Sequence, residues 1–233
     1  MGVLVSEAEG RTVRVDVHCH TVASYDSQLL PERLLARADA VGLDAVVVTD
    51  HDTVHGAHVA ADLAVDYDVT VLVGCEVSTA DGHLLAIGVD EAPKPDEPLS
   101  ATVQRIRDAG GLAVVPHPFQ RSRHGASAAA IEGVDGVEVY NAHAMVGLRN
   151  DQAERFARER GYPAFGGSDA HRAGGLGLAA TAVTLAPGQP PSPATILAAM
   201  RDGRTAAVGR RTSTWQYVTK LVATARYNAP SLL

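Results

Sequence analysis

Two histidines close an apolar run near the start of the chain, in VDVHCH (Val15–His20). Side chains alternate along a β-strand, so His18 and His20 would share one face while Cys19 takes the other. That is how one strand offers two ligands to one metal ion. GGSDAH (Gly166–His171) repeats the spacing near the far end of the chain, with Asp169 in place of one imidazole and His171 as the other ligand. An isolated strand-face pair more often has ordinary core or surface partners; a second such pair makes that reading hard to sustain. Between the two lie Asp50 with His51, Glu76, His117 and Asn141. Imidazole and carboxylate together suit Zn²⁺, Mn²⁺ or Fe²⁺, and the lack of thiolate pairs argues against a structural cysteine-rich zinc site. The residues named, Asn141 included, are too many for one ion. Sites with two or more ions clamp phosphate oxygens and lower the pKa of bound water, so the residue types point to a multinuclear hydrolase.

Residues spread this widely need a scaffold that brings them to one place. Short apolar runs predict strands at Val13–Cys19, Ala45–Thr49, Thr70–Val77, Leu84–Val89, Leu112–Val115, Gly136–Tyr140 and Pro163–Gly166. Helical periodicity predicts helices at Pro31–Val41, Thr53–Val65, Leu99–Ala109, Arg149–Arg160 and Pro193–Arg201. Pro31 and Pro193 fit first turns, and Gly42, Gly110 and Gly161 fit the residue after a helix end. The alternation predicts strand-helix units around a parallel sheet, with Glu91–Pro98 and Ala186–Pro193 as surface loops. The candidate ligands named so far fall at carboxyl ends of these strands. In a parallel β/α barrel those ends share the face where active sites are built. We expect one barrel domain over residues 1–211 and a tail over 212–233, packed on the barrel or partly mobile, whose Trp215 is the only tryptophan.

Composition narrows the class. A hydrophobic fraction of 46% in 233 residues supports a globular core without covalent staples. Cys19 and Cys75 each sit in a strand-like run, where packing explains them better than a disulfide; a cytoplasmic protein is expected. No leader-like segment and no run of about 18 apolar residues is present, so no membrane association is expected. A formal charge of −7 argues against stable binding of duplex nucleic acid, though a locally positive pocket could still draw in a nucleotide.

Taken in order, HCH (His18–His20) with Asp26 downstream, TDHD (Thr49–Asp52), GCE (Gly74–Glu76), PHP (Pro116–Pro118), EVYN (Glu138–Asn141) and SDAH (Ser168–His171) resemble the motifs of the polymerase and histidinol phosphatase domain family, the PHP family. The resemblance spans about residues 13–210. It implies a distorted (β/α)₇ TIM-like barrel with three divalent ions, of zinc, manganese or iron, catalysing phosphoester hydrolysis. Carried over, it places His18, His20, Glu76 and Asp169 on one ion. Glu76 bridges to a second, completed by His83 and His117, and Asp26, His51 and His171 hold a third. Three divalent ions against the carboxylates of Asp26, Glu76 and Asp169 leave about +3, a cationic pocket within an acidic chain.

Other residues carry weaker signals. Asp50 and Asp52 are as well suited to orienting neighbouring ligands as to binding metal. Asn141 either positions substrate or water or caps a loop, and His143 has no assigned role. Arg121 and Arg123, in QRSRHG just after His117, and Arg172, beside His171, are candidates to grip phosphate, with a basic surface loop as the alternative. The resulting expectation is a metal-dependent phosphoesterase in which metal-bound hydroxide, aided by Asp169 and His171, attacks a small phosphomonoester such as a nucleotide bisphosphate or a phosphorylated metabolite. The chain has little sequence for a substrate-selecting insert, which favours a small substrate. The rivals are an amidohydrolase-like metal hydrolase of a non-phosphate substrate, exonuclease-like removal of nucleotides from oligonucleotide ends, and a non-catalytic metal-bearing module.

Overall fold

A computed structural model describes residues 10–144 and 147–209; the expected tail over 212–233 lies outside them. Among these residues run β1 (Thr12–Cys19), α1 (Pro31–Ala40), β2 (Ala45–Val48), α2 (His55–Leu63), β3 (Thr70–Thr79), β4 (Gly82–Ile87), α3 (Leu99–Asp108), β5 (Leu112–Val115), β6 (Gly136–Asn141), α4 (Leu148–Arg160), β7 (Ala164–Gly167), β8 (Ala179–Thr184), α5 (Pro193–Arg201) and β9 (Thr205–Gly209). The seven expected strands and five expected helices are all present, with ends shifted by a few residues. Prolines open α1 and α5, and Gly161 ends α4 in the left-handed conformation that glycine adopts without strain.

The strands form one mixed sheet in the order β7-β6-β5-β4-β3-β2-β1-β8-β9, curled into a nearly closed barrel. Two features correct the all-parallel expectation. β3 and β4 are joined by a tight turn with no helix between them, so β4 runs antiparallel to both β3 and β5. β8 and β9 were not expected at all. Their Ala- and Thr-rich sequences, AATAVT and TAAVG, lack the bulky β-branched pattern that marks a strand, and pairing with β1 rather than propensity defines them.

The barrel closes through β1. Its first half, Thr12–Val15, pairs antiparallel with β8. Its end pairs instead with the segment after β7: Asp169 N–H donates to the His18 carbonyl at 2.7 Å and His20 N–H donates to that of Ala170 at 2.9 Å. Gly166 is required at this seam, since a Cβ there would lie 2.5 Å from the Ala180 carbonyl oxygen. Val13, Val15 and Val17 join the core with Leu72, Leu85, Ile87 and Phe165. The alternate positions Asp16, His18 and His20 are buried on the other face of β1.

Candidate metal centre

The seam and the strand ends bring together all nine of the side chains that the resemblance nominated as ligands. His18 Nε2 and His20 Nε2 lie 3.1 Å apart. Glu76 Oε2 approaches them at 3.1 and 3.3 Å, and Asp169 Oδ1 at 3.8 and 3.6 Å. The other oxygen of Glu76, Oε1, faces His83 Nδ1 at 2.8 Å and His117 Nε2 at 3.0 Å. Further out, Asp26 Oδ2 meets His171 Nε2 at 2.9 Å and His51 Nε2 at 3.4 Å. Glu76 therefore faces one group of imidazoles with each oxygen, and Asp26 gathers a third. His83 begins its strand, yet shares the rim with residues that end theirs because β4 is antiparallel.

Hydrogen bonding selects the tautomer these imidazoles would take as neutral ligands. His18 Nδ1 lies 3.3 Å from Glu138 Oε1, an acceptor, so in the neutral ring Nδ1 carries the proton and Nε2 is the atom left to bind a metal. His20 Nδ1 faces Ser24 Oγ at 3.1 Å, and that hydroxyl donates to Asp50 Oδ1, so His20 also turns a bare Nε2 inward. His171 Nδ1 donates to the Asp169 carbonyl at 2.9 Å, with the same result. Two ring nitrogens and a carboxylate oxygen thus converge within about 3 Å, an arrangement that a positive charge among them, a proton or a metal ion, holds together. Asp169 Oδ1 and the Nδ1 atoms of His51 and His117 are buried and lack hydrogen-bond partners among the described residues. This donor set fits divalent metal ions.

The charges respond accordingly. Burial opposes ionisation of Glu76 and Asp169, but the facing imidazoles, with Arg123 beside Asp169, hold both carboxylates well below their ordinary range. Burial opposes protonation of His18, yet Asp169, Glu76 and Glu138 raise its pKa well above the ordinary value. His51 is lowered, chiefly by burial. Five of six non-glycine residues with positive φ lie beside the site: Asp52, His117, Phe119, His124 and Asp169. Backbone strain concentrated at one rim marks a site whose geometry the rest of the fold enforces.

The supporting residues sort clearly. Asp50 accepts from Thr21 N–H at 2.6 Å and from the Thr21 and Ser24 hydroxyls, and Asp52 from the N–H and hydroxyl of Ser78. Both act through neighbours. Arg123 donates to Asp169 Oδ2 and to Asn141 Oδ1, and Asn141 Nδ2 donates to Asp169 and Glu138 at 3.0 and 2.8 Å. Arg121 and Arg172 are exposed on neighbouring loops and form no ion pair among the described residues. His143 is half-exposed, with Nδ1 3.3 Å from the Asp169 carbonyl.

Sequence reasoning missed three supports. Glu138 stands in the EVYN motif without an assigned role, yet is fully buried and orients both His18 and the backbone of His117, whose N–H it accepts at 2.8 Å. Asp16 shares the face of His18 and His20, a period-two signal that was available. It accepts N–H bonds from Ser168 and Gly177 at the seam, and burial pushes its pKa up to about 6. Ser24 carried no signal of its own.

Known proteins share this fold. A family model described as PHP-associated matches residues 147–205. An uncharacterized protein of Methanocaldococcus jannaschii is 31% identical over 153 residues, covering 60% of this chain and 89% of that protein. A 5′-3′ exoribonuclease of Haemophilus influenzae is 29% identical over 107 residues, 44% of this chain and 39% of the exoribonuclease. In structure, a two-domain protein of Bacteroides vulgatus, described as containing a predicted PHP-like metal-dependent phosphoesterase, superposes with a TM-score of 0.71 at 22% identity, over 86% of this chain and 66% of that one. Endonuclease Q in complex with duplex substrate superposes at 0.57 and 14% identity, over 82% of this chain and 57% of that one. The chain belongs to the PHP family of mixed α/β barrels.

Proposed function

We propose that this protein is a metal-dependent phosphoesterase that hydrolyses a small phosphomonoester. The observation that carries the reading is the convergence of imidazole nitrogens on both oxygens of Glu76, with the Arg123 guanidinium a few ångströms away against Asp169. His18, His20, Glu76 and Asp169 would hold one ion, Glu76, His83 and His117 a second, and Asp26, His51 and His171 a third. Zinc, manganese or iron bound there would supply Lewis acidity and lower the pKa of water. The chain's own contribution is to grip and orient. Arg123 presents a forked donor that suits phosphate oxygens, Asn141 holds that guanidinium and Asp169 in register, and Asp169 and His171 flank the place where water would approach. In the hydrolysis, water oxygen bonds to phosphorus, the ester P–O bond breaks, and the departing alcohol takes a proton.

The arginine favours a phosphate over the amide or lactone of a related hydrolase. The exoribonuclease relative supports a second reading, removal of nucleotides from oligonucleotide ends, and the endonuclease neighbour keeps nucleic acid in view; the formal charge of −7 favours a small substrate over a stably held duplex. No described helix is long and apolar enough to cross a membrane, and two free buried cysteines suit a reducing cytoplasm. Metal-loaded protein should release phosphate from p-nitrophenyl phosphate or nucleotide bisphosphates, whereas the second reading would show as mononucleotides released from a short single-stranded oligonucleotide. Release from none of them, at two or more bound ions per chain, would overturn the reading.

A further inference from the structure

Seven large hydrophobic side chains stand exposed among the described residues, and three of them, Val22, Tyr25 and Leu30, lie on the loop that joins β1 to α1. That loop borders the metal centre and is pinned at its base. Val22 N–H donates to the Leu29 carbonyl at 3.0 Å, and the Ser27 hydroxyl lies 3.2 Å from the carbonyls of both His20 and His171. Tyr25 sits at the tip. Its ring stacks on His51 with centroids 4.9 Å apart and planes within 20°, yet the residue is 83% exposed. One aromatic face is therefore anchored on a candidate ligand while the other is open to water, directly beside Asp26.

Phosphate at the cluster and its arginine would leave the rest of the substrate to extend over the rim. A sugar or amino-acid phosphate would leave this apolar rim wet. A planar heterocycle would continue the stack that His51 and Tyr25 begin, because aromatic rings prefer offset parallel contacts and every nucleobase has a π-face. We propose that Tyr25 is a stacking shelf for the base of a nucleoside attached to the reacting phosphate, making the substrate a nucleotide or a nucleotide end. This inference rests on the phosphoesterase reading and narrows it to one substrate class.

Turnover of adenosine 5′-monophosphate, a 5′-phosphorylated tetranucleotide and base-free ribose 5-phosphate tests the shelf. The ratio of kcat/KM for either base-bearing substrate over ribose 5-phosphate should fall about tenfold in Tyr25→Ala, chiefly through KM, and be retained in Tyr25→Phe. Whichever base-bearing substrate shows the drop identifies a free nucleotide or a strand end as the source. Val65→Ala, on an exposed residue of the short helical turn after α2, controls for loss of surface apolar area. A ratio that Tyr25→Ala leaves unchanged overturns the shelf while the phosphoesterase stands. If no substrate is turned over, that reading fails and binding decides the shelf. Fluorescence of Tyr25→Trp, measured against wild type, should be quenched by adenosine 5′-monophosphate and not by ribose 5-phosphate; equal responses overturn it.

Discussion

His18, His20 and Asp169 are buried on strand ends locked by main-chain bonds across the seam, whereas Asp26 projects from a loop with a third of its side chain exposed, and His171, its partner, is also partly open. The inner group is held from behind by Glu138, Ser24 and Asp50. In the outer group His171 is tied to the Asp169 carbonyl and His51 N–H to Ser24, but Asp26 depends on its own ion pairs. An ion in the inner position would be caged by parts that cannot move without opening the barrel; an ion in the outer position would depend on Asp26, on a loop facing solvent. The difference predicts that affinity within one cluster is graded by what stands behind each ligand as well as by ligand count.

Paired substitutions would break or confirm that gradient. His18→Ala with His20→Ala should abolish turnover and empty the inner position while circular dichroism stays native. Asp26→Ala should lose only the outer ion, and wild-type protein dialysed against graded chelator should shed that ion first. Elemental analysis reads both, and simultaneous loss of all metal from Asp26→Ala would remove the distinction. A subtler probe leaves every ligand in place. Glu138→Gln can still accept from His117 N–H but no longer offers His18 Nδ1 a charged acceptor, so inner-site affinity should drop about 10–100-fold, measured by competition with a chromogenic chelator.

The smallest expected effect is on the stability of the metal-free protein against pH. His18 is raised above its ordinary 6.5, so its contribution is present below that value and lost as pH rises through the folded pKa. Glu76 and Asp169 are lowered from 4.5 and 3.8, so theirs is present above those values and lost as pH falls through the folded ones. Asp16, raised to about 6, costs stability as pH rises from its ordinary 3.8 to that value and adds no further slope above it. Stripped protein should therefore be most stable in mildly acidic solution and fall above pH 6.5 with a slope of about 1.4 kcal/mol per unit for each proton lost, while metal-loaded protein holds its Tm there. Tm scans of both forms from pH 4 to 9 check this, and a flat profile for the stripped protein would contradict it.

The inner half was also the more legible half. Strand alternation alone puts His18 beside His20, and strand-end placement brings Asp169 and His171 towards them. His83 could be placed only through family resemblance, because its position depends on β4 reversing direction, and direction is set by pairing partners rather than by local sequence. β8 and β9 escaped notice for the same reason: alanine and threonine become strand residues there through their neighbours. Glu138 and Asp16 were in plain view as carboxylates inside apolar strands, where burial demands a partner, but which partner was a question only the assembled barrel could answer.

The switch of β1 from β8 to the Ser168–Ala170 segment has a consequence for how the protein is made. The hydroxyl of Ser168 and the carbonyl of His18 meet across 150 residues of sequence, and the inner position lacks Asp169 until both are in place. A chain emerging from the ribosome would present the His18–His20 pair and then Glu76, an incomplete ligand set, until the seventh strand brought Asp169. An ion taken up at that moment closes one of the longest loops in the molecule, as a cross-link would, and holds the first strand to the last of the parallel set. Metal capture would then record that the chain has been made through its seventh strand.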